Sequence, residues 1–197
     1  SVMVGAGETY LAAFVLALGK GELASGLVSG IPMLAGALIQ MMSPGVIRRL
    51  KSHRTWVVLC AFIQAASFLP LVFAAIVQTM PLPVVFLVAS LYWGAGMATG
   101  PAWNTWVGTL VPKPIRAHYF AKRSRAAHFA VLLGVVCAGV TLQYGATHDA
   151  ALTAFAVVFM VAGACRFISA GLLARHSEAL RPDDQHRMVS FREMLVR

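Results

Sequence analysis

The chain has 197 residues, of which 59% are apolar and only 12% are charged, whereas about 25% of the residues of an ordinary soluble domain are charged. This imbalance excludes a soluble globular protein and indicates one integral membrane domain. The net charge of +9 is concentrated in short clusters between apolar stretches and does not follow one face, so we expect no nucleic-acid partner.

Six apolar stretches follow one another along the chain. They cover approximately residues 2–18, 23–42, 56–78, 83–103, 126–143 and 151–174. Each is close to the ~20 residues that a helix needs to cross a bilayer, and continuously apolar runs favour helices over the alternating strands of a barrel. The sequence therefore predicts an all-α integral membrane protein, with a six-helix domain at 1–174 and a cytoplasmic linker or tail at 175–197.

The basic residues predict the orientation of this domain. Fourteen of the sixteen Lys and Arg residues lie in three clusters: Arg48–Arg54, Lys113–Arg125 and Arg175–Arg197. The positive-inside rule places these clusters in the cytoplasm, next to anionic lipid headgroups. We therefore expect a multi-pass protein of the plasma (inner) membrane with both termini cytoplasmic. Near the end of the chain, Ser190 and Glu193 match a helix capping box, which predicts that a further helix begins there.

The cysteines suggest neither a metal site nor a disulfide. Cys60, Cys137 and Cys165 all lie inside apolar runs, without a second Cys or a His at the spacing of metal ligands. We expect buried free thiols and no metal or other cofactor.

Two charged residues lie inside the predicted spans, where a charge costs at least ~2.5 kcal/mol. Glu8 precedes Leu18 by ten residues, which places it roughly 15 Å below the outer surface. Arg166 precedes Ala174 by eight residues, roughly 12 Å from the inner surface. These depths permit an ion pair between Glu8 and Arg166. The alternatives are that Arg166 extends towards the cytoplasm and that Glu8 binds substrate or a proton.

Aromatic residues accompany Glu8 at a similar depth. Tyr10 follows it in the first span, and the fourth span contains Tyr92 and Trp93. These side chains are candidates for lining one polar cavity with Glu8, while simple packing in the core is the alternative for each. Gln64 in the third span is predicted to bond between helices. Prolines inside three spans predict kinks; they are Pro32, Pro70 and Pro101.

The arrangement of spans and loops resembles the amino-terminal half of a major facilitator superfamily transporter. The residues 36–40 are similar to the start of that family's Gly-x-Leu-x-Asp loop motif, with Gln40 in place of the Asp and Arg48 and Arg49 at its basic end. The stretch 93–98 resembles the family's Gly-x-Gly-Ala-Ala segment, although Ser90 stands where that segment is preceded by an Arg. Further on, Val111-Pro112 with Arg116 resembles the family's turn into the fifth helix.

The resemblance implies two six-helix halves, each built from inverted three-helix repeats, with substrate bound near the midplane between them. It also implies that the first and fourth helices line the cavity. Substrate or coupling roles then fall to Glu8, Tyr10, Tyr92 and Trp93, and cytoplasmic gate or loop roles to Gln40, Arg48, Arg49 and Arg116. The departures at Gln40 and Ser90 argue against proton-driven export. The tripeptide Gly-Ala-Gly occurs at residues 5–7 and again at residues 94–96. The two segments fall on helices that correspond in the repeats.

The leading interpretation is therefore a secondary transporter, not an enzyme, which moves a small solute by alternating access. It requires a second six-helix half or a dimer partner. One alternative is a non-transporting six-helix scaffold or a half-module that dimerises. Another is a membrane-embedded lipid enzyme that uses His118 and His128, which no paired carboxylates support. Continuation past Arg197 into six further spans would favour transport.

Overall fold

The computed structural model describes residues 1–176, and this part of the chain contains helices and no β-strand. We number the helices α1 to α6. Their bounds are α1, a π-helical turn Val4–Glu8 followed by Leu11–Ala17; α2, Glu22–Leu50; α3, His53–Ala66 and Phe68–Val77; α4, Leu82–Leu110; α5, Lys113–Thr147; and α6, Ala151–Leu173. In the described residues, five of them are long and apolar enough to cross a membrane, and α1 is a shorter apolar helix. The predicted all-helical membrane architecture is confirmed at this level.

Three helices continue well beyond the predicted apolar spans. The helix α2 ends at Leu50, α4 ends at Leu110, and α5 already begins at Lys113. The added turns of α5 are rich in Lys, Arg and Ala, which favour the helical conformation although they are polar or small. Those of α2 add Arg48 and Arg49, and those of α4 are uncharged. These turns and the loops between them form one end of the bundle, which we call the basic end.

Local chemistry explains where the helices begin and end. Gly19 and Gly21 have φ angles of +71° and +85°, which glycine adopts without strain, and they make the short turn from α1 to α2. The Ser52 side chain accepts a hydrogen bond of 3.0 Å from the backbone N–H of Thr55 and so caps α3. Both α4 and α5 have a proline in their first turn, where its missing N–H costs nothing.

The helix α3 is interrupted at Ser67, between its two segments. Pro70 lacks the N–H that would bond to the carbonyl of Ala66, and the Ser67 hydroxyl donates to the carbonyl of Ile63 at 2.9 Å. By contrast, α2 and α4 each remain a single helix across Pro32 and Pro101. Of the three prolines for which kinks were predicted, only Pro70 coincides with an interruption.

The helix α4 is central in the sense of burial, because it has ten buried residues, more than any other described helix, and it packs against both α2 and α3. The helix α3 also packs along α6, while α1 contacts α2, α5 and α6. The ring of Phe14 is fully buried, 4.9 Å from Phe159 and 5.4 Å from Phe155 between ring centroids. Large apolar side chains cover the outer surface, as expected where a helix bundle faces lipid.

The helix α5 is the least buried of the long helices. Its buried residues are only Gly134, Ala138 and Gly145, and they face α1 and α6. The predicted capping box at Ser190 and Glu193, and the tail beyond residue 176, lie outside the described residues.

Candidate functional site

The helix α1 breaks at the position of its one charged residue. Glu8 ends the π-helical turn, and the α-helical part resumes only at Leu11. The backbone N–H and the hydroxyl of Thr9 both bond to the carbonyl of Val4, each at 3.2 Å. Single π turns inside helices are frequent at functional sites. The break therefore marks Glu8 as a candidate functional residue.

Glu8 and Tyr92 are joined across the interface between α1 and α4. The Tyr92 hydroxyl donates a hydrogen bond of 2.8 Å to Oε2 of Glu8. Tyr92 is only 3% exposed, and its ring contacts the edge of Phe68 at 5.4 Å. This bond ties the interrupted helix to the central one.

Two further polar side chains complete a central polar cluster of Glu8, Gln64, Tyr92 and Arg166. The amide of Gln64, on α3, is 5% exposed and interacts with Tyr92. The guanidinium of Arg166, on α6, interacts electrostatically with Tyr92 and with Cys60. Each member of the cluster comes from a different helix. The sequence pattern assigned Gln64 an interhelical bond but gave no signal that its partner would be Tyr92.

The predicted ion pair does not form among residues 1–176. Glu8 is paired with Tyr92 instead, and the guanidinium of Arg166 lies within electrostatic range of the Tyr92 hydroxyl without a hydrogen bond to it. The Nε atom of Arg166 is buried, without a hydrogen-bond partner in the described chain. The depths estimated from the sequence were compatible with pairing, but depth does not determine which residue faces which.

The structure separates the four predicted substrate residues. Trp93 contacts Tyr92 edge to face at 6.1 Å, and its indole N–H is buried without a partner in the described residues. Tyr10 points to α5, where its hydroxyl donates to the carbonyl of Val135 at 2.8 Å. Glu8, Tyr92 and Trp93 therefore lie together, while Tyr10 belongs to a separate helix contact.

The predicted gate or loop residues lie towards the basic end. Arg48 and Arg49 are exposed in the last turn of α2, and Gln40 is partly buried further up the same helix. Arg116 donates through Nε and Nη2 to the carbonyl of Val111, at 3.3 and 3.1 Å. It therefore stabilises the turn between α4 and α5.

Other contacts hold the basic end together. Arg54 donates to the carbonyl of Ala174 and so links α3 to α6. The guanidinium carbon of Arg123 lies 3.7 Å from the centre of the Trp103 ring, a cation–π contact between α5 and α4.

The histidines weighed for enzymatic chemistry lie on the surface of α5. His118 and His128 are exposed, and a ring nitrogen of His128 lies 2.7 Å from the Ser124 carbonyl of its own helix. In the described part of the chain, His, Cys, Asp and Glu form no group of three or more that could hold a metal ion. All three cysteines are free, and Cys60 is buried, whereas Cys137 is exposed, contrary to the prediction of a buried thiol.

The central polar cluster is suited to binding rather than to covalent chemistry. The Glu8 carboxylate accepts one hydrogen bond from Tyr92, and because Glu8 is only partly buried, its remaining lone pairs are free to take a proton, a cation or a donor group. Movement of α1 relative to α4 would break the bond to Tyr92.

Comparison of the chain with protein-family models, with curated proteins and with solved structures gives no match. The function is therefore inferred from the geometry of the cluster and from the sequence pattern.

Proposed function

We propose that the chain is a six-helix half of a secondary transporter of the major facilitator type, which moves a small solute by alternating access. The observation that carries this proposal is the bond between Glu8, at the break in α1, and Tyr92 of the central helix α4. Glu8 serves as the substrate-binding or coupling carboxylate. Its bond to Tyr92 breaks and re-forms as the first helix moves.

The pattern of helix contacts supports an inverted-repeat architecture. In two three-helix repeats, α1 corresponds to α4, α2 to α5 and α3 to α6. If the helices are exchanged in this way, the contact between α1 and α5 becomes the contact between α4 and α2. The same exchange converts α1–α6 into α4–α3 and α2–α3 into α5–α6, and it leaves α3–α6 unchanged. All of these pairs are in contact. The α1–α2 contact departs from the pattern, because its counterpart, α4–α5, is confined to side-chain contacts such as Arg123 on Trp103. Nested three-helix inverted repeats are the construction of each half of a major facilitator transporter.

The repeated Gly-Ala-Gly segments of α1 (residues 5–7) and α4 (residues 94–96) fit the same correspondence between helices. A Cβ placed on Gly5 would meet the backbone of α5, and one on Gly94 would meet Ile39 of α2. A Cβ on Gly7 would lie 3.2 Å from Ala162 of α6, and one on Gly96 would lie 2.6 Å from the Gln64 amide of α3. The correspondence is partial, because the atoms nearest to a Cβ on Gly7 belong to the Phe68 ring of α3, at 2.5 and 2.7 Å. The contacts of Gly5 and Gly94 support an origin of the two segments as equivalent parts of two repeats.

In this proposal the basic end faces the cytoplasm of a cell whose plasma (inner) membrane holds the protein. Within residues 1–176, ten Lys and Arg residues lie at that end, while the acidic residues outside the bundle, Glu22 and Asp149, lie at the other. This asymmetry is the one that the positive-inside rule describes. The basic turns contact anionic headgroups.

Uptake into vesicles tests the transport activity. The full native chain is reconstituted into liposomes and screened with labelled organic acids, amines, sugars and amino acids under imposed pH and Na⁺ gradients. We expect accumulation of at least one solute, reduced at least tenfold in Glu8→Gln. The matched control is Glu22→Gln, which removes the exposed carboxylate at the start of α2. Wild-type vesicles that accumulate nothing, or equal uptake in Glu8→Gln, would contradict the proposal.

The intact mass of the polypeptide extracted from its own membrane tests the need for a second half. A mass near twice the 21.0 kDa of this chain is expected if the partner half is part of the same polypeptide. A mass near 21.0 kDa requires a dimer, which cross-linking in the membrane detects. A monomer of that mass without uptake would favour the non-transporting scaffold.

A further inference from the structure

Arg166 carries a charge that the proposed transport mechanism does not use. It lies on α6 inside the apolar span, with its Nε atom buried. Among residues 1–176 no hydrogen bond reaches Nε and no ion pair neutralises the guanidinium. Uncompensated charges within a membrane are unfavourable and are characteristic of ligand or ion pathways.

The neighbours of Arg166 do not supply a counter-charge. The groups that interact with its guanidinium from α4 and α3 are the Tyr92 hydroxyl and the Cys60 thiol, which are ordinarily neutral at pH 7. Glu8 is the only carboxylate inside the described spans, and it already accepts the bond from Tyr92. The other described acids, Glu22 and Asp149, lie at the far end of the bundle.

We propose that Arg166 binds the anionic group, a carboxylate or a phosphate, of a small-molecule ligand at the central polar cluster. A guanidinium presents parallel N–H donors that match two oxygens of such a group. The Nε atom is buried while the residue as a whole is partly exposed, so part of the side chain is open to a bound group. Ligand binding supplies the missing negative charge.

The inference rests on the proposed transport function, because it names the substrate class of the same site. Glu8 and Arg166 then act on different parts of one ligand or on a ligand and its coupling ion. Tyr92, which interacts with both residues, lies at the junction of the two sub-sites. Its ring is held by Phe68 and Trp93.

Binding by the purified full native chain in detergent tests the inference without requiring transport. The probes are four ligands with the same ring: benzoate, phenyl phosphate, benzylamine and benzamide, titrated at constant ionic strength and followed by tryptophan fluorescence and thermal denaturation. We expect saturable binding of benzoate, phenyl phosphate or both, and none of the amine or the amide. Comparison of the two anions distinguishes a carboxylate site from a phosphate site.

Variants locate the binding. Arg166→Gln is expected to weaken the anion at least tenfold, whereas Arg166→Lys retains part of the affinity. Arg125→Gln removes an exposed charge on α5 and is expected to bind like the wild type. Equal binding in Arg166→Gln, or binding of neither anion by the wild type, would overturn the inference. If Arg166→Gln does not fold, two other measurements decide whether the inference holds. The wild type must bind an anion but neither the amine nor the amide, and Arg166→Lys must retain part of that affinity.

Failure of this inference and failure of the transport proposal give different experimental results. Anion binding that depends on Arg166, without uptake of any solute, would leave the site intact and reject the transporter. Glu8-dependent uptake of a cationic or neutral solute, unchanged in Arg166→Gln, would retain the transporter and reject the anion site.

Discussion

The bundle contains two crossings where helix backbones approach closely, and they differ in what fills the contact. At the α1–α5 crossing, glycine faces backbone on both sides. A Cβ on Gly134 would lie 2.6 Å from the carbonyl oxygen of Val2, and one on Gly5 would overlap the carbonyl oxygen of Val131. Neither neighbour is able to turn away, because both belong to the main chain of a helix.

At the α2–α4 crossing, side chains take part. A Cβ on Gly94 would lie 2.6 Å from Cδ1 of Ile39, the mobile end of a side chain. A Cβ on Gly36 would lie 3.0 Å from both the Trp93 backbone and Sδ of Met97. This crossing joins two helices of 29 residues each, which have many other contacts.

The difference shows how the short helix α1 is fixed. Its first part consists of a single π turn, whose backbone contact is with α5, while it meets α3 and α6 through the side chains of Phe68 and Ala162. Its second part is held by the Ser25 hydroxyl of α2, which donates to the carbonyl of Ala12 at 2.7 Å. Glu8 lies between these two anchors. The break in α1 thus separates a part fixed to α5 from a part fixed to α2.

The largest effect is expected from Gly5→Ala. The new methyl group would overlap the α5 backbone, and overpacking of this kind costs about 3 kcal/mol of the free energy of unfolding. Titration with SDS, followed by circular dichroism, measures this change. Gly26→Ala is the matched control, because its Cβ would meet nothing within 4 Å. Equal stability of the two variants would show that α1 is not fixed by this crossing.

An intermediate effect is expected from Tyr92→Phe. The change removes the hydroxyl that donates to Glu8 and leaves a partly buried carboxylate without its partner, at a cost of about 2 kcal/mol. The same SDS titration measures it. Tyr144→Phe, at a position that is 66% exposed, is expected to change nothing. If Tyr92→Phe behaves like Tyr144→Phe, the bond to Glu8 does not hold α1 against α4.

Much of this architecture could be predicted from the sequence, because the bilayer imposes a strong constraint on span length and polarity. Each of the six apolar stretches corresponds to one helix, and the rarity of charges inside spans singled out Glu8 and Arg166. The helix ends were predicted less well. Hydropathy identifies only the apolar part of a helix, so it did not predict that the basic residues of α5 before Ala126 are helical.

The pairing of polar residues could not be predicted from the sequence. Depth placed Glu8, Tyr92 and Arg166 at similar levels, but the rotation of each helix about its axis is set by tertiary packing. Gly5 packs against Gly134 and the ring of Phe68 lies against Tyr92, and both are contacts between different helices that no local pattern specifies. They turn Tyr92 towards Glu8 and Tyr10 towards α5.

The smallest effect is expected from Gly94→Ala, the counterpart of Gly5→Ala in the proposed repeat. The neighbour of the new methyl group is the end of the Ile39 side chain, which relieves the overlap by changing rotamer. We therefore expect a loss below about 1 kcal/mol in the same SDS titration. A loss as large as that of Gly5→Ala would mean that both crossings are equally rigid, and α1 would then lose its distinction as the helix fixed by a backbone contact.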